Sequence, residues 1–364
     1  MISGLETLTA RYETQQKSIL GKSKKVTLMI EIESAEKHIS GFNIIDCDII
    51  SPTHFGFTLR EDYTQWPNWG EGSKAPKELK LKKRILELDL TKPEGEKWTS
   101  FGIENFDLLN TCSKSSSNSY IGMAKNFDGF EVSFGELQHT YDVLPNILND
   151  GIRRGTLKKA KFFNNNLIAC TSSRQLLTLN DDRQWSVIGD QIPANEDWAI
   201  SSFSDFDLFS FDDIYAVGGK GEVWHYNGHV WLQMDFPTNH YTHTVCCGGD
   251  GSVYITVDSA TIYKGRGNEW ELIHEEVISL TLKDAVWYED KMWCTNDFGI
   301  WVLDNGKFER QEDLPTGALV SAGYLAQRDG VLLVAGFYGA AYKKDDEWVQ
   351  AISQQKVHDL MKGQ

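Results

Sequence analysis

The sequence predicts an all-β fold, a seven-bladed β-propeller built from four-stranded antiparallel blades with a short N-terminal extension. Three observations predict it. The first is local: Asp213 to Glu271 carries one pattern twice, DIYAVG, EVWHYN and HVWLQM in one copy and SVYITV, TIYKGR and EWELIH in the next. Short runs of β-branched and aromatic residues broken by tight turns are hairpins. The second is a period. An aromatic closes each copy, at Trp98, Tyr141, Trp185, Trp231, Trp270, Phe308 and Trp348, with spacings between 38 and 46 residues. Seven units of this length fit a ring of blades. The third is amphipathicity, or its lack. The two middle strands of each unit carry large residues on both faces, so one blade cannot bury itself and neighbours must stack.

The elements follow in chain order. Residues 1–25 are polar with weak helical spacing at Leu5, Leu8 and Tyr12, and read as an arm or short helix. Val26–Ile32, VTLMIEI, reads as a strand that adds to the edge of the last blade, where an unpaired edge would invite aggregation. The propeller spans 26–352 as a single domain. Strands are named A (inner) to D (outer). Phe42–Ile50 is strand A of blade 1, followed by HFGFTLRE, KKRILELDL and the segment around Trp98. Blades 2 to 7 fall at 104–145, 157–189, 205–234, 243–274, 284–312 and 321–352, and 353–364 is a polar tail. The closing aromatic of each blade is a core anchor expected to pack on the adjoining blade.

Composition narrows the partners. The chain has 364 residues, 41% hydrophobic, with a net charge of −16. That charge argues against nucleic acid, whose phosphates require clustered Lys and Arg, and against anionic membranes. It favours solubility and a basic partner. Six cysteines, at 47, 112, 170, 246, 247 and 294, show no CxxC or zinc spacing and mostly fall in strands, where a thiol acts as a small hydrophobe. With a polar N-terminus and no apolar run of spanning length, the expected compartment is the cytoplasm, and the expected free state is a monomer.

Connection lengths single out one face. In a propeller the B–C turns and D-to-A links emerge together, and the A–B and C–D turns emerge opposite. The latter are short Asn-Gly, Asp-Gly and Asp-Asp types. The former include the long blade 1 loop from Asp62 to Lys80, with Tyr63, Trp66 and Trp69, and the link from Gln191 to Asp213, with Glu196, Asp197 and Trp198. A loop of that length in a compact domain is functional or disordered. The same face holds Phe127, Asp128, His240, Tyr241, Glu275, Glu276, Asp297, Phe298, Phe337 and Tyr338. Aromatics interleaved with acids suit protein binding, since aromatics anchor at low entropic cost and acids select a basic partner. An alternative use of Phe298 and Tyr338 is to plug the channel or cover turns.

Catalytic signatures are missing. There is no GxSxG, HExxH, P-loop or Rossmann glycine pattern, and His240 and His243 alone do not define a metal site. Thr295-Asn-Asp-Phe-Gly-Ile-Trp301 approaches the Asp-box of sialidase-like propellers, but its Trp stands one position early, so it reads as an ordinary B–C turn. No catalytic residue, metal or cofactor is therefore expected, although acids are abundant enough that a glycosidase pair is not excluded.

DIYAVGGKGEVWHYNGHVW is similar to the short blade repeat of bacterial propellers, and the likeness runs over blades 4 to 7. The motif specifies fold, not function. Lone propellers of this kind resemble propeller-type immunity proteins of bacterial toxin systems. That resemblance implies a non-enzymatic protein that binds and neutralises one basic toxin or effector domain. Two other readings stand beside it: a carbohydrate- or small-molecule-binding propeller, with hydrolase or lyase activity among its forms and Trp66 and Trp69 as platforms, and a structural adaptor in a larger complex.

Overall fold

A computed structural model describes residues 34, 37–70, 72–107, 109–134, 139–145, 155–180, 182–193, 202–275 and 281–354. They form seven four-stranded antiparallel sheets, each from four consecutive strands. Blade 1 comprises β1–β4 (Phe42–Ser51, His54–Glu61, Lys83–Asp89, Trp98–Ile103) and blade 2 β5–β8 (Leu109–Lys114, Ser119–Ala124, Gly129–Phe134, His139–Val143). Blade 3 comprises β9–β12 (Leu157–Phe163, Asn166–Thr171, Leu176–Leu179, Trp185–Val187) and blade 4 β13–β16 (Asp205–Ser210, Asp213–Gly218, Glu222–Tyr226, Trp231–Gln233). Blade 5 comprises β17–β20 (Thr242–Cys247, Val253–Val257, Ile262–Arg266, Glu269–His274) and blade 6 β21–β24 (Asp284–Tyr288, Lys291–Asn296, Gly299–Asp304, Lys307–Arg310). Blade 7 comprises β25–β28 (Tyr324–Arg328, Val331–Gly336, Gly339–Lys344, Glu347–Ser353).

The inner strands close a ring, β1 against β5, then β9, β13, β17, β21, β25 and back to β1. Seven apolar clusters hold the ring, and each lies between two neighbouring blades. This is why the middle strands are apolar on both faces: Val253–Val257 and Val331–Gly336 are buried at every position. Closure needs no exchanged strand among the described residues. β1 packs on β25 and β26, and Phe55 meets the Tyr342 ring at 4.9 Å. Val26–Ile32, the strand expected to close the ring, lies outside the described residues, as do the whole of the arm (1–25) and residues 355–364.

The closing aromatics pack on the preceding blade. Trp185 meets Phe127 and donates its indole N–H to the Pro145 carbonyl at 2.9 Å. Trp231 meets Phe203 and donates to the Ile188 carbonyl at 2.8 Å. Trp270 packs on Phe236, Phe308 on His274, and Trp348 on Trp293. Trp98 joins the cluster shared by blades 1 and 7. The side chain of Tyr141 lies outside the described residues.

The tight turns show the positive φ that two-residue hairpins demand. Asn164 and Asn165, Glu289 and Asp290, and Asp345 and Asp346 all adopt it. The six cysteines are free, and all but Cys247 are buried. Burial pushes each of their thiols up. No helix among the described residues is long and apolar enough to cross a membrane.

Candidate functional site: the charged channel and the loop-rich rim

The seven inner strands enclose a channel of about 500 Å³. Strand A is the edge strand of its blade, so the N–H groups on its channel side have no ladder partner. A buried backbone donor needs an acceptor. Aspartates of the preceding blade supply it. Asp46 accepts from the Thr111 N–H at 2.8 Å, Asp48 from Ser113 at 2.6 Å, Asp205 from Val245 at 3.1 Å, Asp207 from Cys247 at 2.8 Å, and Asp284 from Leu325 at 3.1 Å. In each case the donor stands on the inner strand of the next blade. The second oxygen of Asp46, Asp48, Asp205 and Asp284 accepts the N–H of the residue that follows it. Sequence reasoning missed these staples. Their trace was the Asp-x-Asp spacing at 46/48 and 205/207, in both cases at a predicted inner strand.

Two lysines neutralise part of this wall. Lys159 of blade 3 crosses the channel to Asp284 of blade 6 at 2.8 Å. Lys161 lies 3.3 Å from Asp207 and 3.9 Å from Asp205. Burial alone would push both lysines down. The carboxylates around them more than reverse it, so both are held as firm ammonium ions. Blade 1 is different. Among the described residues no lysine or arginine nitrogen lies within 4.0 Å of Asp46 or Asp48. Burial pushes Asp46 up to about 7, although the N–H groups of Thr111 and Cys47 and the charge of Lys159 act the other way. Asp48 is also raised by burial, against the pull of Arg328.

The rim around the channel mouth is built by the B–C turns and D-to-A links. Of the ten exposed large apolar side chains among the described residues, six lie here: Trp66, Leu79, Tyr241, Phe298, Phe337 and Tyr338. They sit on consecutive blades, 5, 6, 7 and 1, and make one arc. The other four, Val143, Val230, Leu232 and Leu272, belong to outer strands or the turns before them.

The blade 1 loop is folded, not irregular. It contains two 3-10 turns, Tyr63–Gln65 and Glu78–Lys80, and the Asp62 side chain caps the first by accepting from the Thr64 N–H. Tyr63 holds Trp69 edge to face at 4.8 Å and Trp66 at 6.5 Å. Lys83, fully buried, ties the loop to the next link by donating to the carbonyls of Glu78 and Phe106. Tyr63 and Trp69 are half-buried and Trp66 is 37% exposed.

The other predicted rim residues divide. Tyr241, Phe298, Phe337 and Tyr338 are exposed, and the last pair touch edge to face at 5.4 Å. His240, Glu275 and Asp297 are exposed. Asp297 takes an ion pair from Lys283 at 2.8 Å, and Lys283 also lies 4.0 Å over the Tyr324 ring. Asp128 is half-buried and bonded within its own turn to Asn126. Phe127 is a correction. It is fully buried, at a φ of 68°, and packs on Trp185, so the turn tucks its ring into the seam between blades 2 and 3 instead of the rim. Glu196, Asp197, Trp198 and Glu276 lie outside the described residues.

Sequence reasoning weighed His243 only beside His240, as a metal ligand, and passed over Asp258. His243 and Asp258 pair at 2.8 Å beside the channel mouth, and Asp258 accepts from the Tyr241 N–H at 3.0 Å. Burial acts upward on the Asp258 carboxyl, but these bonds outweigh it and hold the carboxyl below its usual range. The segment resembling an Asp-box is a B–C turn: the Thr295 hydroxyl donates to the Gly299 carbonyl at 2.9 Å, and the Phe298 N–H donates to the Asn296 side chain at 2.8 Å. Among the described residues no group of three His, Cys, Asp or Glu is placed to hold a metal ion.

No family model matches the chain. A curated relative, the "immune protein Tsi7" of Pseudomonas aeruginosa, is 29% identical over 181 residues, 49% of this chain and 58% of the relative. The chain thus covers little more than half of that relative's length. Among solved structures, YCF48 bound to D1 peptide superposes with a TM-score of 0.56 at 13% identity, over 84% of this chain and 94% of that one. The WD40 β-propeller domain of Doa1 superposes with a TM-score of 0.57 at 11% identity, over 86% of this chain and 94% of that one. At such identities the structural likeness is one of fold. The chain is a seven-bladed β-propeller with a sequence relative among immune proteins.

Proposed function

We propose that this propeller is a non-enzymatic immunity protein that binds and neutralises one cognate bacterial toxin or effector domain. The match to the immune protein over 181 residues carries the reading. Two features of the molecule support it. The exposed apolar side chains gather in one arc on the loop-rich face, and such a patch on a soluble ring marks a docking site. The net charge of −16 gives a field that steers a basic partner and repels acidic ones.

Binding uses the rim over blades 5, 6, 7 and 1, with Trp66, Tyr338 and Phe298 as anchors. Aromatic residues at the centre of such a patch carry most of an interface's energy. The test is capture from the native cell, followed by co-expression of the recovered partner. A stoichiometric protein partner whose toxicity is relieved by this chain is the expected result. Capture that repeatedly yields no stoichiometric partner sinks the reading.

A further inference from the structure

We infer that the blade 1 loop docks an acidic segment of the protein partner, against the sign of the chain as a whole. The inference rests on the reading above and names the chemistry of one part of the partner's surface. It starts from a local reversal of charge. Residues 72–84 carry six cations and one acid, Glu78, in a chain of net charge −16. Two of the cations serve the fold. Lys83 is buried on the carbonyls of Glu78 and Phe106, and Arg84 donates to the His38 carbonyl and lies 4.1 Å over the Phe42 ring. The other four, Lys74, Lys77, Lys80 and Lys82, are exposed.

The way the loop folds leaves those four unpaired, because its acids turn inward. Glu61 accepts from the Trp66 indole N–H at 3.2 Å and from the Lys82 backbone N–H at 3.1 Å. Asp62 accepts from the Thr64 N–H at 3.0 Å and from the Gln65 amide at 2.9 Å. Glu78 pairs with Arg60 at 2.8 Å and lies 3.6 Å from Lys83. Among the described residues no acid lies within 4.0 Å of the ammonium groups of Lys74, Lys77, Lys80 or Lys82. Lys283 and Lys291 of blade 6, by contrast, each hold an aspartate.

Leu79, 52% exposed, stands between Lys77 and Lys80 in the chain, and Trp66 is exposed on the same loop. A patch of this composition fits carboxylates that flank an apolar side chain. At about 0.15 M salt the Debye length is about 8 Å, so the lysines act on a docked segment while the acids of distant blades are screened. Nucleic acid would run past the loop onto the acidic remainder, so a short segment fits better. The far end of the exposed arc has the opposite sign: Glu275, Glu312 and Asp313 are exposed on the links after blades 5 and 6. A partner that is acidic over blade 1 and basic over blades 5 and 6 seats in one orientation, and charge complementarity of this kind fixes register.

The experiment uses the full chain and a dansyl-labelled EEFEEFEE peptide, in which carboxylates flank apolar residues, with binding read by fluorescence anisotropy. Its reference is the neutral counterpart QQFQQFQQ. An exposed ion pair is worth a factor of about 1.5 to 5, so several together should favour the acidic peptide about tenfold at about 0.1 M salt. Absence of that preference overturns the inference without any variant. Joint substitution Lys74→Glu, Lys77→Glu and Lys80→Glu, checked for unchanged circular dichroism, should abolish the preference. Lys307→Glu, on an exposed turn of the opposite face, should leave it intact. A preference that survives the triple variant, or is lost equally with Lys307→Glu, overturns the site. Tighter binding of a single-stranded oligothymidylate to the same lysines assigns the loop to nucleic acid and also overturns it. The peptide needs no toxin. Peptide binding together with failed partner capture would therefore remove the immunity reading and leave an acid-binding loop, whereas a captured partner without peptide binding would remove the loop and leave the immunity reading.

Discussion

The seam between blades 7 and 1 and the seam between blades 4 and 5 join neighbours by different means. At the 4–5 seam, Asp205 and Asp207 of one inner strand cap N–H groups of the next, and Lys161 neutralises both acids. At the 7–1 seam the inner strand Tyr324–Arg328 has no acid, and among the described residues its polar bridge to blade 1 is the long bond from Arg328 to the Ile50 carbonyl. What replaces the staple is apolar burial. The cluster there draws on both blades, with Phe55, Phe57, Leu59, Leu333, Tyr342 and Ile352 among its members. A ring must close where its two ends meet, and the closing seam relies on the non-directional force, which tolerates small misalignment. The stapled seams rely on directional bonds between strands that are never far apart in sequence. The exposed arc of aromatics spans the apolar seam and reaches, through Tyr241, the link that joins blades 4 and 5.

The largest expected effect tests the apolar seam. Phe55→Ala empties a site that is fully buried against Tyr342. Such truncations cost about 3 to 5 kcal/mol, and the loss should appear in chemical denaturation as a lower midpoint. A cost under about 1 kcal/mol would mean that the seam is not closed by packing.

The staple should follow closely. Asp205→Ala removes the acceptors of two N–H groups, Phe206 and Val245, and one of the two carboxylates near Lys161. Breaking a buried charged network in this way costs about 3 kcal/mol. Asp205→Asn keeps one acceptor and should recover part of it. Full stability of the alanine variant would show that the inner strands hold without these bonds.

How much of this was legible follows from range. Hairpins are local, so strand boundaries such as His54–Glu61 and Asp213–Gly218 could be read from adjacent residues and their turns. The staples join residues 40 to 65 positions apart, and the Lys159–Asp284 pair joins residues 125 apart. No periodicity encodes those contacts. Phe127 failed for a subtler reason. A turn position in sequence says which face of the ring the backbone visits, but a residue at positive φ can send its ring back into the seam. Trp66 and Tyr338 sit at comparable turns and point outward. The folded state of the Asp62–Lys80 loop was hidden because its anchor, buried Lys83, lies outside it and reads as part of a strand.

The third prediction concerns pH and sets the channel carboxyl of Asp46 against His38, which is buried against Ser100 of the outer strand of blade 1. Asp46 in the folded chain sits at about 7, above the ordinary carboxylate value near 3.8, because burial disfavours its charge. The folded state therefore binds this proton more tightly than the unfolded state. Stability from this group is full below about pH 4 and is lost as pH rises toward 7. His38 works in the opposite sense. Burial, with Lys37 and Arg84 nearby, lowers it from 6.5 to about 4, so its contribution is full above pH 6.5 and is lost as pH falls toward 4. The two slopes oppose each other in the native chain. Asp46→Asn removes one of them. The difference in unfolding free energy between that variant and the native chain should change by about 1 to 2 kcal/mol from pH 5 to pH 7 in denaturant titrations. A difference that does not vary with pH would mean that the Asp46 carboxylate is not buried in the channel wall.

The smallest effect is the one that discriminates function. Trp66 is partly exposed on the rim over the apolar seam, and Leu232 is comparably exposed on the outer strand of blade 4. Neither side chain contributes much to folding, so Trp66→Ala and Leu232→Ser should each change stability by less than about 0.5 kcal/mol. Their effects on partner binding should differ. Loss of an aromatic anchor costs about 2 kcal/mol, some thirtyfold in affinity, whereas an outer-strand change should leave binding intact. Equal losses would place the partner along the blade sides, as in an adaptor. A loss at Leu232 alone would remove the rim from the interface.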